Sequence, residues 1–253
     1  MRLDPVAVAA GVRLALHEVI GSTNAEAKRL ARGGERGPLW VVARTQTQGR
    51  GRRDNAWVSQ PGNLFASLLL TDPAPPARAP ELAFVSVLAL TDAVLACAPA
   101  LGGQVTVKWP NDMLVDGHKA AGILIEAEGS AVVIGLGVNC VSHPPETAFP
   151  ATDLASVGAV VDADELFAAL SAAMVARLAQ WSAGAGFAGI RTDWLARAAG
   201  LGAPIRVRLP GREMTGQFTG LDAQGRLLLG HADGTTEIVT AGDVFSLATE
   251  ARH

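Results

Sequence analysis

Gln46-Thr-Gln-Gly-Arg-Gly-Arg-Arg-Asp-Asn-Ala-Trp57 is the stretch on which the reading of this chain turns. It follows an apolar run, Leu39 to Ala43, that reads as a buried strand, so a cationic loop leaves the sheet at its edge. Gly49 and Gly51 let the backbone approach a ligand closely. Arg50, Arg52 and Arg53 place three planar, permanently charged forks in one small volume. An arriving anion relieves that repulsion, and phosphates or carboxylates match the fork in a bidentate way. Trp57 adds a flat surface for a ring or a lid contact. A solvated basic loop is the plain alternative; the flanking chain argues against it.

Upstream, Leu14 to Ile20 suits a first strand, and Thr23 with Glu26 has the spacing of a capping box. A helix from about Ala25 to Arg32 should follow, closed by Gly33-Gly34. Ser22, Thr23 and Asn24 then sit at a strand-to-helix corner, either as caps or as ligand groups. Downstream, Asn63 to Leu70 reads as a strand, Pro73 to Pro80 as a connector and Glu81 to Ala98 as a buried helix. Gln104 to Lys108 forms a short strand leading into Lys108-Trp-Pro-Asn-Asp112, where proline should hold Trp109 extended and Asn-Asp should turn the chain. Met113 to Val115 and Lys119 to Glu126 make a hairpin across Asp116-Gly117-His118. A further strand, Ala131 to Asn139, carries Gly135 and Gly137 on one face, leaving room for a flat ligand or allowing a bulge or tight packing. Asp162 to Trp181 and Phe187 to Ala198 look helical. Beyond Gly200-Leu-Gly202 the texture changes to short strands broken by glycine turns, as a small barrel requires.

At 253 residues the chain can hold one large domain and a small one. With 49% hydrophobic and 18% charged residues and a net charge of −3, it is globular and lacks the broadly basic face that general nucleic-acid binding needs. The basic loop is therefore a local site. Cys97 and Cys140 are too few for a disulfide framework or a zinc site, and a reducing cytoplasm is the simplest compartment. The first ten residues lack a signal-peptide pattern, and no uninterrupted apolar run approaches the roughly 20 residues of a membrane span, so a soluble cytoplasmic protein with no membrane role is expected. Lysine occurs only at 28, 108 and 119 and asparagine only at 24, 55, 63, 111 and 139, while arginine is abundant. Positions that keep Lys or Asn against that bias are candidates for a specific chemical need.

Taken together, Ser22-Thr-Asn24, Gln46 through Gly49-Arg-Gly-Arg52 to Trp57, Lys108-Trp-Pro-Asn-Asp112, Lys119-Ala-Ala-Gly122-Ile-Leu-Ile-Glu126 and Gly135-Leu-Gly-Val-Asn139 resemble the biotin protein ligases, in order and over essentially the whole chain. The resemblance implies an α+β fold: a mixed sheet flanked by helices, related to lipoate ligases and class II aminoacyl-tRNA synthetases, over residues 1–200, then a small SH3-like β-barrel over 201–253. It implies that biotin's carboxylate attacks the α-phosphate of ATP, with Mg²⁺, and that a lysine of a biotin carboxyl carrier protein then takes the biotin as an amide.

Two anions must meet in that first step, so fixed positive charge is needed between them. Arg52 and Lys119 are the expected catalytic pair. Ser22, Thr23, Asn24 and Gln46 would read the ureido ring, with Arg50, Gly51, Arg52, Lys119, Gly122, Leu124, Gly135 and Gly137 completing the biotin site. Arg50, Arg52, Arg53, Lys108, Asn111 and Asn139 would hold ATP, with Trp57 covering the nucleotide. Asp112 is open between a metal-linked, a lysine-orienting and a purely structural turn role. The loop 46–57 is expected to order over the water-labile adenylate.

Two departures matter. Asp54-Asn55 stands where the family usually has Gly-Arg, which implies a leakier hold on the adenylate or a differently ordered loop. The catalytic strand begins by about residue 12, which implies a ligase without the winged helix-turn-helix of some relatives and no DNA role; a homodimer stays open. The rivals are a lipoate or related acyl-adenylate ligase, and a non-catalytic phosphate- or nucleic-acid-binding module.

Overall fold

A computed structural model describes residues 1–52, 55–145, 147 and 149–247. Seven strands, β1 (Arg13–Ile20), β2 (Leu39–Gln46), β3 (Leu64–Thr71), β4 (Val105–Lys108), β5 (Asp112–Val115), β6 (His118–Glu128) and β7 (Ala131–Val138), pair in the order β1-β2-β3-β7-β6-β5-β4. β1 runs parallel to β2, and every other neighbouring pair is antiparallel. A parallel pair needs a crossover, and α2 (Thr23–Arg32), which follows the short α1 (Pro5–Ala9), supplies it. Alternation then sorts the side chains. Leu39, Val41, Leu69 and Val133 meet Ala27 and Leu30 of α2 on one face. Trp40, Val42, Leu68 and Ile134 enter the main core on the other.

That second face is covered by α3 (Glu81–Cys97), α4 (Ala163–Trp181) and α5 (Phe187–Leu195). α3 is buried almost all round, as an apolar helix without a polar stripe must be. Phe84 meets Phe187 and Trp194 edge-on, with centroids 5.7 and 5.4 Å apart. The stretch Ala163–Gly184 is long and apolar enough to cross a membrane by length and composition, yet Leu166, Phe167, Leu170 and Met174 spend their apolar surface in this core.

One local expectation shifts. Ser22, not Thr23, is the N-cap of α2, and Glu26 pairs with Arg29 (2.6 Å) instead of closing a capping box. The reason is geometric: Ser22 has the extended backbone a cap requires, which frees Thr23 for other contacts. Trp109 and Pro110 lie in a turn with a cis peptide between them.

The second sheet, β8 (Pro204–Leu209), β9 (Arg212–Leu221), β10 (Leu227–Gly230), β11 (Thr236–Val239) and β12 (Asp243–Ser246), is antiparallel in the order β11-β10-β9-β8-β12. Its outer strands are four residues long and do not pair with each other, so the SH3-like unit is an open sheet and not a closed barrel among the described residues. Val207, Phe218, Leu227 and Leu229 join the main core, so both sheets close on one apolar interior. Buried Trp109 fastens them, its Nε1 donating to the Gly225 carbonyl at 3.0 Å.

Trp109→Phe should therefore lower stability by about 1–2 kcal/mol, the cost of a buried carbonyl left without its donor. Urea denaturation measures it; an unchanged midpoint would show that this bond does not fasten the second sheet.

Candidate active site

The register of three strands lays out the site. Ser67, Gly135 and Leu124 lie side by side across β3, β7 and β6, and Phe65, Gly137 and Gly122 form the next row on the same face. The first turn of α2 stands over the first row: a Cβ at 135 would come within 2.9 Å of Asn24 Cγ. Trp57 lies over the second. A Cβ at 137 would sit 2.6 Å from Trp57 Nε1, and one at 122 would sit 3.2 Å from Trp57 Cζ3. The room over Gly135 is thus taken by Asn24 and that over Gly137 by the indole, which is the tight packing offered as the alternative to space for a flat ligand. The Trp57 Nε1–H is buried without an acceptor among the described residues.

A hydrogen-bonded chain runs along the first row. Gln46 Oε1 accepts from the Thr23 amide (2.8 Å) and hydroxyl (3.1 Å), while Gln46 Nε2 donates to Ser59 Oγ (3.1 Å). The Ser67 hydroxyl lies 2.7 Å from Thr23 Oγ1 and 2.6 Å from Asn24 Oδ1, and its single proton serves one of them at a time. Ser67 is fully buried, a polar residue in an apolar strand, and the sequence reading passed over it.

Across β4 and β5 the register pairs Lys108 with Asp112. Asp112 lies 3.1 Å from Lys108 Nζ and 2.7 Å from Lys119 Nζ, so of the roles left open for it the geometry is that of a lysine-orienting carboxylate. Burial acts to raise the Asp112 pKa, and the charges of Lys119 and Lys108 more than reverse that, holding it below the ordinary 3.8. Burial pushes the Lys108 ammonium below the usual lysine range despite its pairing with Asp112. Lys108 also rests 3.5 Å above the Phe149 ring.

The arginines diverge. Arg52 NH1 donates to Asn111 Oδ1 at 2.9 Å and its NH2 to the Gly242 carbonyl at 3.4 Å, whereas Arg50 lies 3.9 Å from Glu126. Asn111 and Asn139, expected at the nucleotide, turn their Nδ2 groups to the Ile123 and Thr152 carbonyls. Gly49 packs so closely on the Trp57 carbonyl and Ser59 that no side chain fits there; Gly51 is not crowded in that way.

One cavity of about 460 Å³ gathers these groups. Ser22, Thr23, Asn24, Gln46, Arg50, Gly51, Arg52, Trp57, Lys108, Asn111, Asp112, Lys119, Gly122, Leu124, Gly135, Gly137 and Asn139 all line it. Arg53 and Asp54 lie outside the described residues, and with them the reading of Asp54-Asn55 as a leak. Sequence reasoning missed the far wall: Phe149 and Ala151 from the segment after β7, and Arg208, Asp243 and Phe245 from the second sheet. Phe149 and Phe245 stand 6.4 Å apart, and the Arg208 guanidinium lies 4.9 Å from the Phe245 ring. Only the isolated Phe in each segment hinted at this.

Residues 16–139 match the Biotin/lipoate A/B protein ligase family, and residues 200–246 match the Biotin protein ligase C terminal domain. The chain is 42% identical over 239 residues to a biotin–[acetyl-CoA-carboxylase] ligase of Paracoccus denitrificans, covering 88% of this chain and 96% of that one. It is 35% identical to the Mycobacterium tuberculosis protein of the same name, covering 90% and 86%. The Aquifex aeolicus biotin protein ligase in complex with biotin and ATP superposes with a TM-score of 0.80, covering 92% of this chain and 99% of that one; at 24% identity this is a likeness of fold. The Leishmania major ligase in complex with biotinyl-5-AMP gives 0.67 at 26% identity, covering 90% and 99%. The chain belongs to the biotin protein ligases.

Because its folded pKa lies below 3.8, Asp112 contributes stability at neutral pH that is lost as pH falls through that folded value. Asp112→Asn leaves two ammonium groups facing each other and should cost about 3 kcal/mol at pH 7. In urea melts across pH, the loss of stability below about pH 4 should shrink in the variant; an identical acid limb would place that loss elsewhere.

Proposed function

We propose that the chain activates biotin with ATP to biotinyl-5′-adenylate and passes the biotin to a lysine of a biotin carboxyl carrier protein. An oxygen of the biotin carboxylate attacks the α-phosphorus, the P–O bond to the β-phosphate breaks, and pyrophosphate leaves. The carrier amine, having shed a proton, then attacks the acyl carbon, an amide forms and AMP leaves. The observation that carries this reading is one cavity into which five separated sequence motifs converge, with cations on one side and a hydrogen-bonding corner on the other.

Roles follow from what each group can do there. Ser22, Thr23, Asn24 and Gln46 offer alternating donors and acceptors, which a cyclic urea requires. Lys119 and Arg52 supply positive charge where carboxylate and phosphate approach each other, with Asp112 orienting Lys119 and Asn111 orienting Arg52. Lys108 and Arg50 neutralise phosphate, and the apolar strand around Ile123 and Leu124 holds the thiophane ring and valeryl chain. Mg²⁺ would arrive on the nucleotide's phosphates, since the described residues gather no group of three or more His, Cys, Asp or Glu. We divide the chain into a catalytic unit over 1–200 and a smaller unit over 201–253, and place the protein in the cytoplasm, where carboxylases and ATP are found together.

Biotin-dependent exchange of labelled pyrophosphate into ATP, with lipoate in parallel, tests the reading. Exchange is expected with biotin alone, and Lys119→Met should reduce it at least about 100-fold. Exchange with lipoate alone would reassign the pocket, and exchange with neither would leave a binding module.

A further inference from the structure

Along β6, Leu124 and Glu126 are two apart and share the face on which α2 lies; along α2, Asn24 and Lys28 are four apart and share a face. The two periods meet at Glu126. Its Oε2 accepts from Asn24 Nδ2 at 2.8 Å, its Oε1 receives the Lys28 ammonium, and the Arg50 guanidinium lies 3.9 Å from Oε2. Lys28 and Glu126 expose only 19% and 21% of their side chains, and Lys28 is the one lysine of three that does not line the cavity. Burial acts to raise the Glu126 pKa, but the hydrogen bonds from Lys28 and Asn24, with the charges of Lys28 and Arg50, keep the carboxyl below its ordinary value.

An ordinary structural ion pair would end at Lys28. This one does not. From Glu126 the contacts run through Asn24, Ser67 and Thr23 to Gln46, and from Gln46 to Ser59. Gln46 and Ser59 are the two roots of the arginine loop, and Arg50 is on its arch. Gln46, Ser59 and Arg50 are thus joined, through partly buried contacts, to the first turn of α2.

We propose that Glu126 is a positioning residue that couples the Ser22–Asn24 corner to Arg50 at the cavity wall, and so sets how long the acyl-adenylate is retained. This rests on the function proposed above. Glu126 does not line the cavity. It fixes the Asn24 amide with one oxygen and draws Arg50 over the cavity, while Lys28 keeps the carboxylate charged and aimed.

The test is a double-mutant cycle on release. Wild type, Glu126→Gln, Arg50→Met and the double variant are loaded with biotin and labelled ATP, and escape of the adenylate is followed by filtration. Each single variant should speed release about tenfold, and the double variant no more than either alone, while KM for ATP in pyrophosphate exchange stays within about twofold in Glu126→Gln. A merely structural role would lower the fraction of active sites, counted by burst titration, without accelerating release from those that remain. Should Glu126→Gln not fold, Glu126→Asp, one methylene short of both partners, takes its place in the cycle. Unchanged release, or single effects that multiply to about a hundredfold in the double variant, would overturn the proposal. A wild type that forms no biotinyl-adenylate would overturn the functional reading, and this proposal with it.

Discussion

Two ammonium ions share one carboxylate in the middle of this protein, and all three charges are drawn largely out of water. Such a group persists only where the surroundings hold it in place, because the desolvation cost of each charge is offset solely by good geometry with the others. The hairpin of β4 and β5 provides that geometry through its register, with Lys108 opposite Asp112 and Asp112 opposite Gly122. Behind the hairpin stand the all-round apolar α3 and the shared interior of two sheets. The triad keeps one positive charge more than it neutralises, and Arg52 adds another at its edge. A cavity with standing positive charge and few compensating anions favours the arrival of phosphate and carboxylate, so the scaffold's rigidity and its chemistry have the same source.

Pattern carried most of the fold. Apolar runs between turn signals named the strands of the first sheet, and the α2 helix followed from Gly33-Gly34 and a cap-rich corner. What pattern could not decide was a choice between equals: Ser22 and Thr23 both cap well, and only the backbone at Ser22 settles which one does. The site was legible where motifs were dense, since every described residue expected there lines one cavity. It was illegible where contacts are long in sequence. Phe149 and Phe245 are almost a hundred residues apart, and nothing local announces that they meet. Nor does a sequence say which way an amide points, and Asn111 and Asn139 point much of theirs at carbonyls of the protein.

The second sheet looks like an appendage in sequence and is part of the wall in space. Its edge strand β12 brings Asp243 and Phe245 to the cavity, and the Gly242 carbonyl receives Arg52. An open sheet is better suited to this than a closed barrel, because an unpaired edge can lie against another unit. Trp109, next to Lys108, is fastened to the turn at Gly225. The same short motif thus carries charge into the cavity with one residue and anchors the neighbouring sheet with the next.

Gly122 and Gly137 form a floor whose shape is set by backbone pairing, with Trp57 lying directly on it. Such a floor has a one-sided future under mutation. Any codon change away from glycine adds atoms, so this surface can only rise. Lineages that accept a bulkier acyl group therefore cannot evolve by remodelling it; they must trim Trp57 or shift the far wall, where Phe149 and Phe245 leave side chains to give up. Selectivity in this pocket is a ratchet on one side and a dial on the other.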